Sequence, residues 1–276
     1  MIFVYGKWDK FCKLLSQNGR FSIPAKEVSK YHTNYVVLKH DVETNISSAL
    51  NIAKIEHKYG HRGSYYVQSY LLDSSNNVEM LKQIQKMGHE VSYHHDVMDS
   101  NKGNIDSAIT EFENNASQFR NFGFDLTTVC QHGNPIIERI GYSSNRDFFR
   151  NDRVLLLYPK VSDIMVNFKE KHETDYLYYS DAGRHFQLIF DPINNDIVNS
   201  DDKNIMYTDL DSLYNSLSLE KGNIISIHPH RWTRSTIIYI LKTLIFKAVR
   251  SAARLLTKIP FMKKLMSKYY YLAKKI

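Results

Sequence analysis

The chain has 276 residues, of which 43 % are hydrophobic, and this length suits one large α/β domain as well as two smaller ones. Its two cysteines, Cys12 and Cys130, form no CxxC pair, so the sequence predicts neither a disulfide framework nor a thiolate zinc site. The net charge of +7 comes from the segment between Arg231 and Ile276, which holds 12 Lys and Arg and no acid and leaves 24 basic and 29 acidic residues before it. A nucleic-acid partner is therefore not expected, since its binding site would carry the basic residues.

The N-terminal sequence does not have the features of a secretory signal. Its apolar run is too short, and the small residues of a cleavage site are missing. No segment approaches the roughly 18 consecutive apolar residues that are typical of a membrane-spanning helix. The sequence therefore predicts a cytoplasmic protein.

Helix-like and strand-like segments alternate along the chain. Helices are predicted where apolar residues recur at helical spacing before a glycine, and strands at short runs of β-branched and aromatic residues. In chain order the prediction is helix "WDKFCKLLSQNGRF", strand "VVLKHDVE", helix "NISSALNIAKIEHKYG", strand "GSYYVQSY", helix "NNVEMLKQIQKMG", strand "HEVSYHH", helix "NIDSAITEFENNASQFRNFG", strand "LTTVCQHG", strand "RVLLLYPKV", strand "HFQLIFD", helix "YTDLDSLYNSLSLEKG" and strand "NIISIHPH". This alternation is typical of βαβ units in a mainly parallel sheet.

Four of the predicted strands end in histidine, namely "VVLKHDVE", "EVSYHHD", "TTVCQHG" and "IISIHPH". The carboxyl ends of parallel strands lie at one edge of a sheet, and α/β proteins build their sites at that edge. Asp41, Glu43 and Asp96 accompany the histidines. Because His, Asp and Glu are ligands of a borderline metal such as Zn²⁺, the sequence predicts a metal site there.

At these residues the sequence resembles the NodB-homology polysaccharide deacetylases, carbohydrate esterase family 4, in the divergent branch that begins with His-Asp-Val-Asp. Some members of that branch lie in O-antigen and capsule gene clusters. The resemblance runs from about Trp8 to Trp232. It implies an α/β fold of the distorted (β/α) barrel type, with a deacetylase domain at 1–232. The residues after this domain, 233–276, are predicted from their own composition to form a basic helical tail.

The resemblance also implies roles for individual residues. "HDVE" looks like the first motif of the family, which makes Asp41 the catalytic base and Glu43 a metal ligand. "GHEVSYHHD" resembles the second motif and places His94 at the first metal histidine. "IISIHPH" resembles the last motif, in which the histidine, here His228, is the general acid.

The sequence departs from the family pattern in its metal ligands and in its third motif. Glu43 stands where Asp is usual, and Met98 stands where the second metal histidine is usual. A thioether is a poor Zn²⁺ ligand, so the third ligand is expected elsewhere. His132 in "CQHGNP" is the first candidate because it ends a neighbouring strand, followed by Asp96 and His95. The usual Arg-Pro-Pro-Tyr motif is missing, so no base-orienting arginine is assigned.

The implied reaction is hydrolysis of an N- or O-acetyl group on a sugar, in the biosynthesis of a surface polysaccharide such as O-antigen or capsule. One divalent ion, Zn²⁺ by this resemblance, would assist Asp41 as base and His228 as acid, which the first and last motifs supply from well-separated strands. "YYSDAGRHF" adds Asp181 and Arg184 in a polar loop, which is predicted to be salt-bridged; contact with the sugar or with His228 is the alternative. His230 is either a structural residue or one that orients a neighbour.

Two other classes of protein stay open. One is a non-catalytic glycan-binding or scaffolding member with a degenerate metal site, which the missing second-motif histidine favours. The other is a different metal-dependent hydrolase on an α/β barrel, such as a phosphoesterase. A phosphoesterase needs basic residues that bind the phosphate, or a second metal. The chain before Arg231, called the body below, has more acidic than basic residues and offers no obvious phosphate-binding group.

The basic tail has the pattern of an amphipathic helix. Its apolar residues at helical spacing are Ile237, Ile240, Leu241, Leu244, Ile245, Ala248, Val249, Ala252, Leu255 and Leu256. Its intervening basic residues are Lys242, Lys247, Arg250, Arg254 and Lys258. Such a composition is typical of a helix that lies at a membrane surface. Residues 237–276 are therefore predicted to contact anionic lipids at the inner face of the cytoplasmic membrane. The alternative is that the apolar face packs on the barrel or on a second subunit.

Overall fold

The computed structural model of the protein describes residues 1–31, 33–134, 137–182, 185–193 and 205–256. The strands are β1 (Val36–Val42), β2 (Ser64–Val67), β3 (Glu90–His95), β4 (Thr128–Gln131), β5 (Ser162–Asp163), β6 (Tyr176–Ser180), β7 (Phe186–Ile189), β8 (Ile205–Tyr207) and β9 (Gly222–Ile227). The α-helices are α1 (Tyr5–Gln17), α2 (Ile46–Lys58), α3 (Ser75–Lys86), α4 (Val97–Ser100), α5 (Ile105–Asn121), α6 (Asp147–Arg150), α7 (Asp152–Leu157), α8 (Phe168–Lys171), α9 (Leu210–Asn215) and α10 (Thr236–Leu256). Short 3-10 helices occur at Ala25–Lys30, Ser69–Asp73 and Pro229–Arg231.

The described strands form one sheet of nine strands in the order β5-β4-β3-β2-β1-β9-β6-β7-β8. Every pairing from β5 to β6 is parallel, and β7 and β8 extend the sheet by antiparallel pairing. The predicted α/β class and mainly parallel sheet are confirmed. The parallel pairing places the carboxyl ends of β4, β3, β2, β1 and β9 along one edge.

The sheet separates two apolar cores. The larger core joins one face of the sheet to α1, α2, α3 and α5. The smaller core, called the inner core below, consists of Ile23, Ala25, Val28, Tyr35, Val37, Tyr66, Cys130, Ile164, Met165, Phe168, Tyr176, Tyr178 and Ile224. Because side chains alternate along a strand, Lys39 and Asp41 of β1 lie on the same face as Val37, towards the inner core.

The middle of the chain differs from the prediction in several places. The prediction of a strand at "RVLLLYPKV" is wrong, because Asp152–Leu157 forms helix α7 and the short strand β5 begins only after this segment. The Asn151 side chain caps this helix by accepting a hydrogen bond from the backbone N–H of Arg153, and leucine favours helix more than β-branched residues do. Strand β6, which the sequence did not predict, lies between β9 and β7 and sends Tyr176 and Tyr178 into the inner core.

The start of the tail packs on the N-terminal residues. Thr233 donates its backbone N–H to the carbonyl of Phe3 at 3.1 Å and accepts from the N–H of Tyr5 at 2.9 Å. Tyr239 in α10 is 8 % exposed, with its ring against Phe3 and its hydroxyl bonded to the carbonyl of Met1. None of the described helices is long and apolar enough to cross a membrane. The part of the predicted tail at 257–276 lies outside the described residues.

Candidate metal and catalytic centre

The order of the parallel strands brings the predicted site residues to one edge of the sheet. Asp41 is the penultimate residue of β1, and Glu43 directly follows the strand. His94 is next to the last residue of β3, while His132 and His228 directly follow β4 and β9. Strands β3 and β4 are neighbours, as are β1 and β9, and only β2 separates the two pairs. The sequence expectation that strand-end groups converge therefore holds for these five residues.

Glu43, His94 and His132 form a group of three metal-binding side chains. One carboxylate oxygen and one ring nitrogen from each histidine lie within 4.8 Å of one another. The distance from Nε2 of His132 to Oε1 of Glu43 is 3.4 Å. A tetrahedral Zn²⁺ with bonds of ~2.1 Å separates its ligand atoms by about 3.4 Å, so this pair already has that spacing. Two imidazoles and a carboxylate, with a fourth position left open, are a catalytic zinc donor set.

The charge states of this group suit metal binding. Nδ1 of His94 lies 3.0 Å from the carbonyl oxygen of Cys130 and must donate to it, which leaves the lone pair of Nε2 for a metal. Burial lowers the pKa of His94 to about 3, against the opposing charge of Asp41, so the ring is neutral at pH 7. Burial alone would raise the pKa of Glu43, but its bond to His132 and the charges of nearby histidines hold this pKa well below the ordinary value. The group thus presents an anionic carboxylate and a neutral imidazole.

Lys39 is a site residue that the sequence analysis missed. It is 1 % exposed, and its Nζ donates to both carboxylate oxygens of Asp41, at 2.5 and 2.7 Å, and to Oγ of Ser226 at 3.2 Å. Burial alone would raise the pKa of Asp41, but the charge of Lys39 and its hydrogen bonds to the carboxylate outweigh burial and lower this pKa, so Asp41 is ionised. The available signal was the two-residue spacing in "KHD", since alternate residues of a strand share a face.

A second group of possible ligands, Asp41, His94 and Cys130, shares His94 with the first. It suits a metal less well because both oxygens of Asp41 already accept from Lys39. Burial also raises the pKa of the Cys130 thiol well above its ordinary value, so that it stays protonated. A cation at this position would lie beside the buried ammonium group of Lys39. Glu43, His94 and His132 are therefore the better fit.

A polar network fixes the backbone at His132. Asn145 donates from Nδ2 to the carbonyl of His132 and to Oδ2 of Asp99, both at 2.8 Å. Asp99 donates its backbone N–H to Oδ1 of Asn145 and accepts two bonds from the guanidinium of Arg139. Asn145 is fully buried and Asp99 is nearly so. Arg139, which follows the "QHGNP" segment, thus holds Asp99, and Asp99 with Asn145 fixes the backbone carbonyl of His132.

His228 is oriented by a buried carboxylate. Its Nδ1 donates to Oδ1 of Asp181 at 2.5 Å, and its backbone N–H donates to Oδ2 at 3.0 Å. Arg231 donates to the carbonyl oxygen and to Oδ1 of Asp181. Burial alone would raise the pKa of Asp181, but the charges of Arg231 and His228 lower it to about 2. Asp181 is therefore both salt-bridged and bonded to His228, while Arg184 of the same predicted loop lies outside the described residues.

The bonds to Asp181 direct Nε2 of His228 towards the acids of the site. This atom lies 3.9 Å from Oδ2 of Asp41 and 3.7 Å from Oε1 of Glu43. The expectation that the proposed base and acid come from well-separated strands is wrong, because β1 and β9 are direct neighbours. The rings of His230 and His228 meet edge-on, with 5.9 Å between their centroids. Burial lowers the pKa of His230 to about 3.

The other ligand candidates lie elsewhere. Nε2 of His95 is 2.8 Å from Oδ2 of Asp163 on the opposite face of β3, among aromatic rings. Asp96 precedes α4 and belongs to neither group of possible metal ligands found among the described residues. Met98 is buried in the larger core. His132, directly after the adjacent strand β4, is thus the residue that the fold places beside His94.

Comparisons with protein-family models, with curated proteins and with solved structures found no match to this chain.

Proposed function

We propose that the protein is a metal-dependent hydrolase that removes an acetyl group from a sugar during the biosynthesis of a surface polysaccharide. The proposal includes a distorted (β/α) barrel of the kind found in the polysaccharide deacetylases that the motifs resemble. The observation that carries it is the convergence of Glu43, His94 and His132 with Asp41 and with the Asp181-bound His228. A metal-binding group, a carboxylate base and an imidazole acid are the parts that hydrolysis of an acetyl group needs.

Each residue has one part in this reaction. When bound by Glu43, His94 and His132, a divalent ion such as Zn²⁺ would polarise the acetyl carbonyl and acidify a water molecule. Asp41 is ionised and accepts the proton of the attacking water. His228 donates a proton from Nε2 to the leaving amine or alkoxide as the bond between the acetyl carbon and the sugar breaks. The products are acetate and the free amino or hydroxyl group.

The second candidate function is that of a non-catalytic glycan-binding or scaffolding protein. It is favoured by Met98, since this thioether stands where the resembled family has a metal histidine. Under this alternative the purified protein holds no stoichiometric metal and releases no acetate. Metal content therefore separates the two candidates before any substrate is known.

The test combines metal content with product release. The purified protein is dialysed against Zn²⁺, and bound metal is measured by mass spectrometry beside acetate and phosphate release from acetylated saccharides and phosphoesters. We expect one ion per chain in the wild type, a loss of most of it in His94→Ala, and no change in the control His57→Ala, which alters an exposed histidine of α2. Release of phosphate without acetate would support the phosphoesterase class instead. Equal metal content in wild type and His94→Ala would contradict the assigned site.

A further inference from the structure

Helix α10 turns its apolar face away from the rest of the protein. Tyr239 packs on Phe3 and is 8 % exposed, whereas Ile237, Leu241 and Leu244 are 79 %, 58 % and 58 % exposed. At 100° per residue, these three side chains lie opposite Tyr239 on the helix. The apolar face, defined here by Ile237, Leu241 and Leu244, is therefore not covered by the described part of the body. The alternative that this face packs on the barrel is therefore wrong for these three residues within the described part of the chain.

Basic side chains border the apolar face on both sides. Lys242 and Lys247 are exposed and lie to opposite sides of it when the helix is viewed along its axis. Further along the sequence, every charged residue is basic, since no Asp or Glu occurs between Arg231 and Ile276. A ligand for this surface must therefore accept apolar side chains and carry negative charge on both sides of them.

We propose that the apolar face of α10 binds an anionic membrane surface, with the helix parallel to the bilayer and the body on its aqueous side. A bilayer with anionic headgroups offers an acyl layer to the apolar face and negative charge to the lysines that border it. A second copy of the helix does not, because a symmetric contact would bring these basic side chains together. The helix lies on the bilayer rather than crossing it. This inference goes beyond the proposed catalysis and does not depend on it.

The test uses the full-length protein and two pairs of substitutions. Co-sedimentation is measured with vesicles of phosphatidylcholine alone or with added phosphatidylglycerol, at about 0.1 M and about 1 M salt, where the Debye length is ~10 and ~3 Å. We expect binding to anionic vesicles at low salt and weaker binding at high salt or to neutral vesicles. Lys242→Gln with Lys247→Gln should lower the partition coefficient about 30-fold, at roughly fivefold per charge. Leu241→Ser with Leu244→Ser should lower it by at least about tenfold.

The matched control is Lys54→Gln with Lys82→Gln, which removes two exposed charges from the body helices α2 and α3 and should leave binding unchanged. Circular dichroism verifies that each variant is folded. Wild-type protein that stays in the supernatant with anionic vesicles at low salt would overturn the proposal. A dimer in light scattering that Leu241→Ser with Leu244→Ser converts to a monomer would also overturn it, in favour of a contact between two copies.

Discussion

The ion pair of Lys39 and Asp41 places two opposite charges inside the sheet, next to the candidate metal group. Both side chains are almost entirely buried, and Nζ contacts both oxygens of the carboxylate. Removing water from two charges costs several kcal/mol each, and their attraction offsets this cost only while both are present. The pair therefore keeps Asp41 ionised and fixed in position, but it also makes each partner dependent on the other.

A double-mutant cycle tests this dependence. We expect Lys39→Met to lower the free energy of unfolding by about 3–5 kcal/mol, because Asp41 remains as an unpaired buried charge. Adding Asp41→Asn to Lys39→Met should recover most of that loss, because neither position 39 nor position 41 then carries a buried charge. Urea unfolding of both single variants and the double variant gives the coupling energy. A double variant that loses as much stability as the sum of the two single variants would show that the pair is not coupled.

Neighbouring acids of the site are expected to have separable roles. Asp41→Asn should abolish acetate release but keep the metal, because Asp41 is held by Lys39 and is not part of the better metal group. Glu43→Gln should weaken metal binding at least about tenfold, because it removes the only carboxylate of that group. Bound metal and acetate release are measured on the same preparations, with Asp41→Asn assayed at low temperature to offset its lower stability. Full activity of Asp41→Asn would mean that another residue is the base.

At the scale of elements, Glu56 of α2 links this helix to the sheet. Its carboxylate is fully buried and accepts hydrogen bonds from Nε1 of Trp8 in α1 and from the hydroxyl of Tyr65 in β2, with His40 of β1 at 2.9 Å. His89, just before β3, lies beside this cluster with a defined tautomer. Its Nδ1 accepts from the N–H of Gly63, so Nε2 carries the hydrogen and donates to the carbonyl of Ala53. A second proton on His89 would remove one of these bonds.

This arrangement makes the stability of the fold depend on pH. Burial lowers the pKa of His89 from 6.5 to about 4, against the opposing charge of Glu56. Between these values the unfolded chain binds a proton that the folded protein does not, so stability falls as the pH drops below about 6.5 and levels off near 4. We expect a loss of about 2 kcal/mol at pH 5 from this residue. Burial also lowers the pKa of His61, which adds to the loss in the same direction.

Urea unfolding at pH 7 and at pH 5 measures this effect. His89→Gln should be less stable at pH 7, because it loses one of the two backbone bonds, but should show a smaller change between the two pH values than the wild type. An equal change in the wild type and in His89→Gln would mean that other groups carry the pH dependence.

The elements that the sequence predicted correctly have a clear local pattern. Strands β1, β3, β4 and β9 are short apolar runs between helices with glycine stops, and the parallel topology that follows from this alternation also predicts the convergence of Asp41, Glu43, His94, His132 and His228. Strand β6 was missed because no helix was predicted before its "YLYYS" run and because the run is rich in tyrosine, which loops also contain. Helix α7 was missed because its leucine run suits either structure, and the capping by Asn151 decided between them.

The chemical details of the site were less predictable. The sequence indicates which side chains reach the sheet edge. It does not indicate which of them form hydrogen bonds or ion pairs with one another once they are buried. His95 and Asp163 are paired on the far face of β3, and this depends on the register between strands that are distant in sequence. The hydrogen bond from His228 to Asp181 also joins residues that are distant in sequence. For Asp181 the sequence left two alternatives, a salt-bridged loop and a contact with His228.

At the scale of the whole molecule, the N-terminal residues and the start of the tail form one unit with the sheet. The predicted boundary at Trp232 falls inside this unit, because Trp232 packs against Trp8 and Phe3 while Thr233 pairs with the backbone next to Phe3. The first turns of α10 are therefore attached to the body by Tyr239, and the exposed face begins on the opposite side of the same turns. This attachment fixes the direction in which the apolar face points.

Two truncated chains test whether the start of the tail is part of the folded unit. Removing the residues after Trp232 deletes two backbone hydrogen bonds of Thr233 and the burial of Tyr239, so we expect a loss of about 3–5 kcal/mol in the free energy of unfolding. Removing the residues after Leu244 keeps all of these contacts and should change the free energy by less than about 1 kcal/mol. Urea unfolding of both truncated chains beside the full-length protein measures the difference. If the two truncated chains unfold at the same urea concentration as the full-length protein, residues 233–244 do not stabilise the body, and the predicted boundary at Trp232 is the physical one.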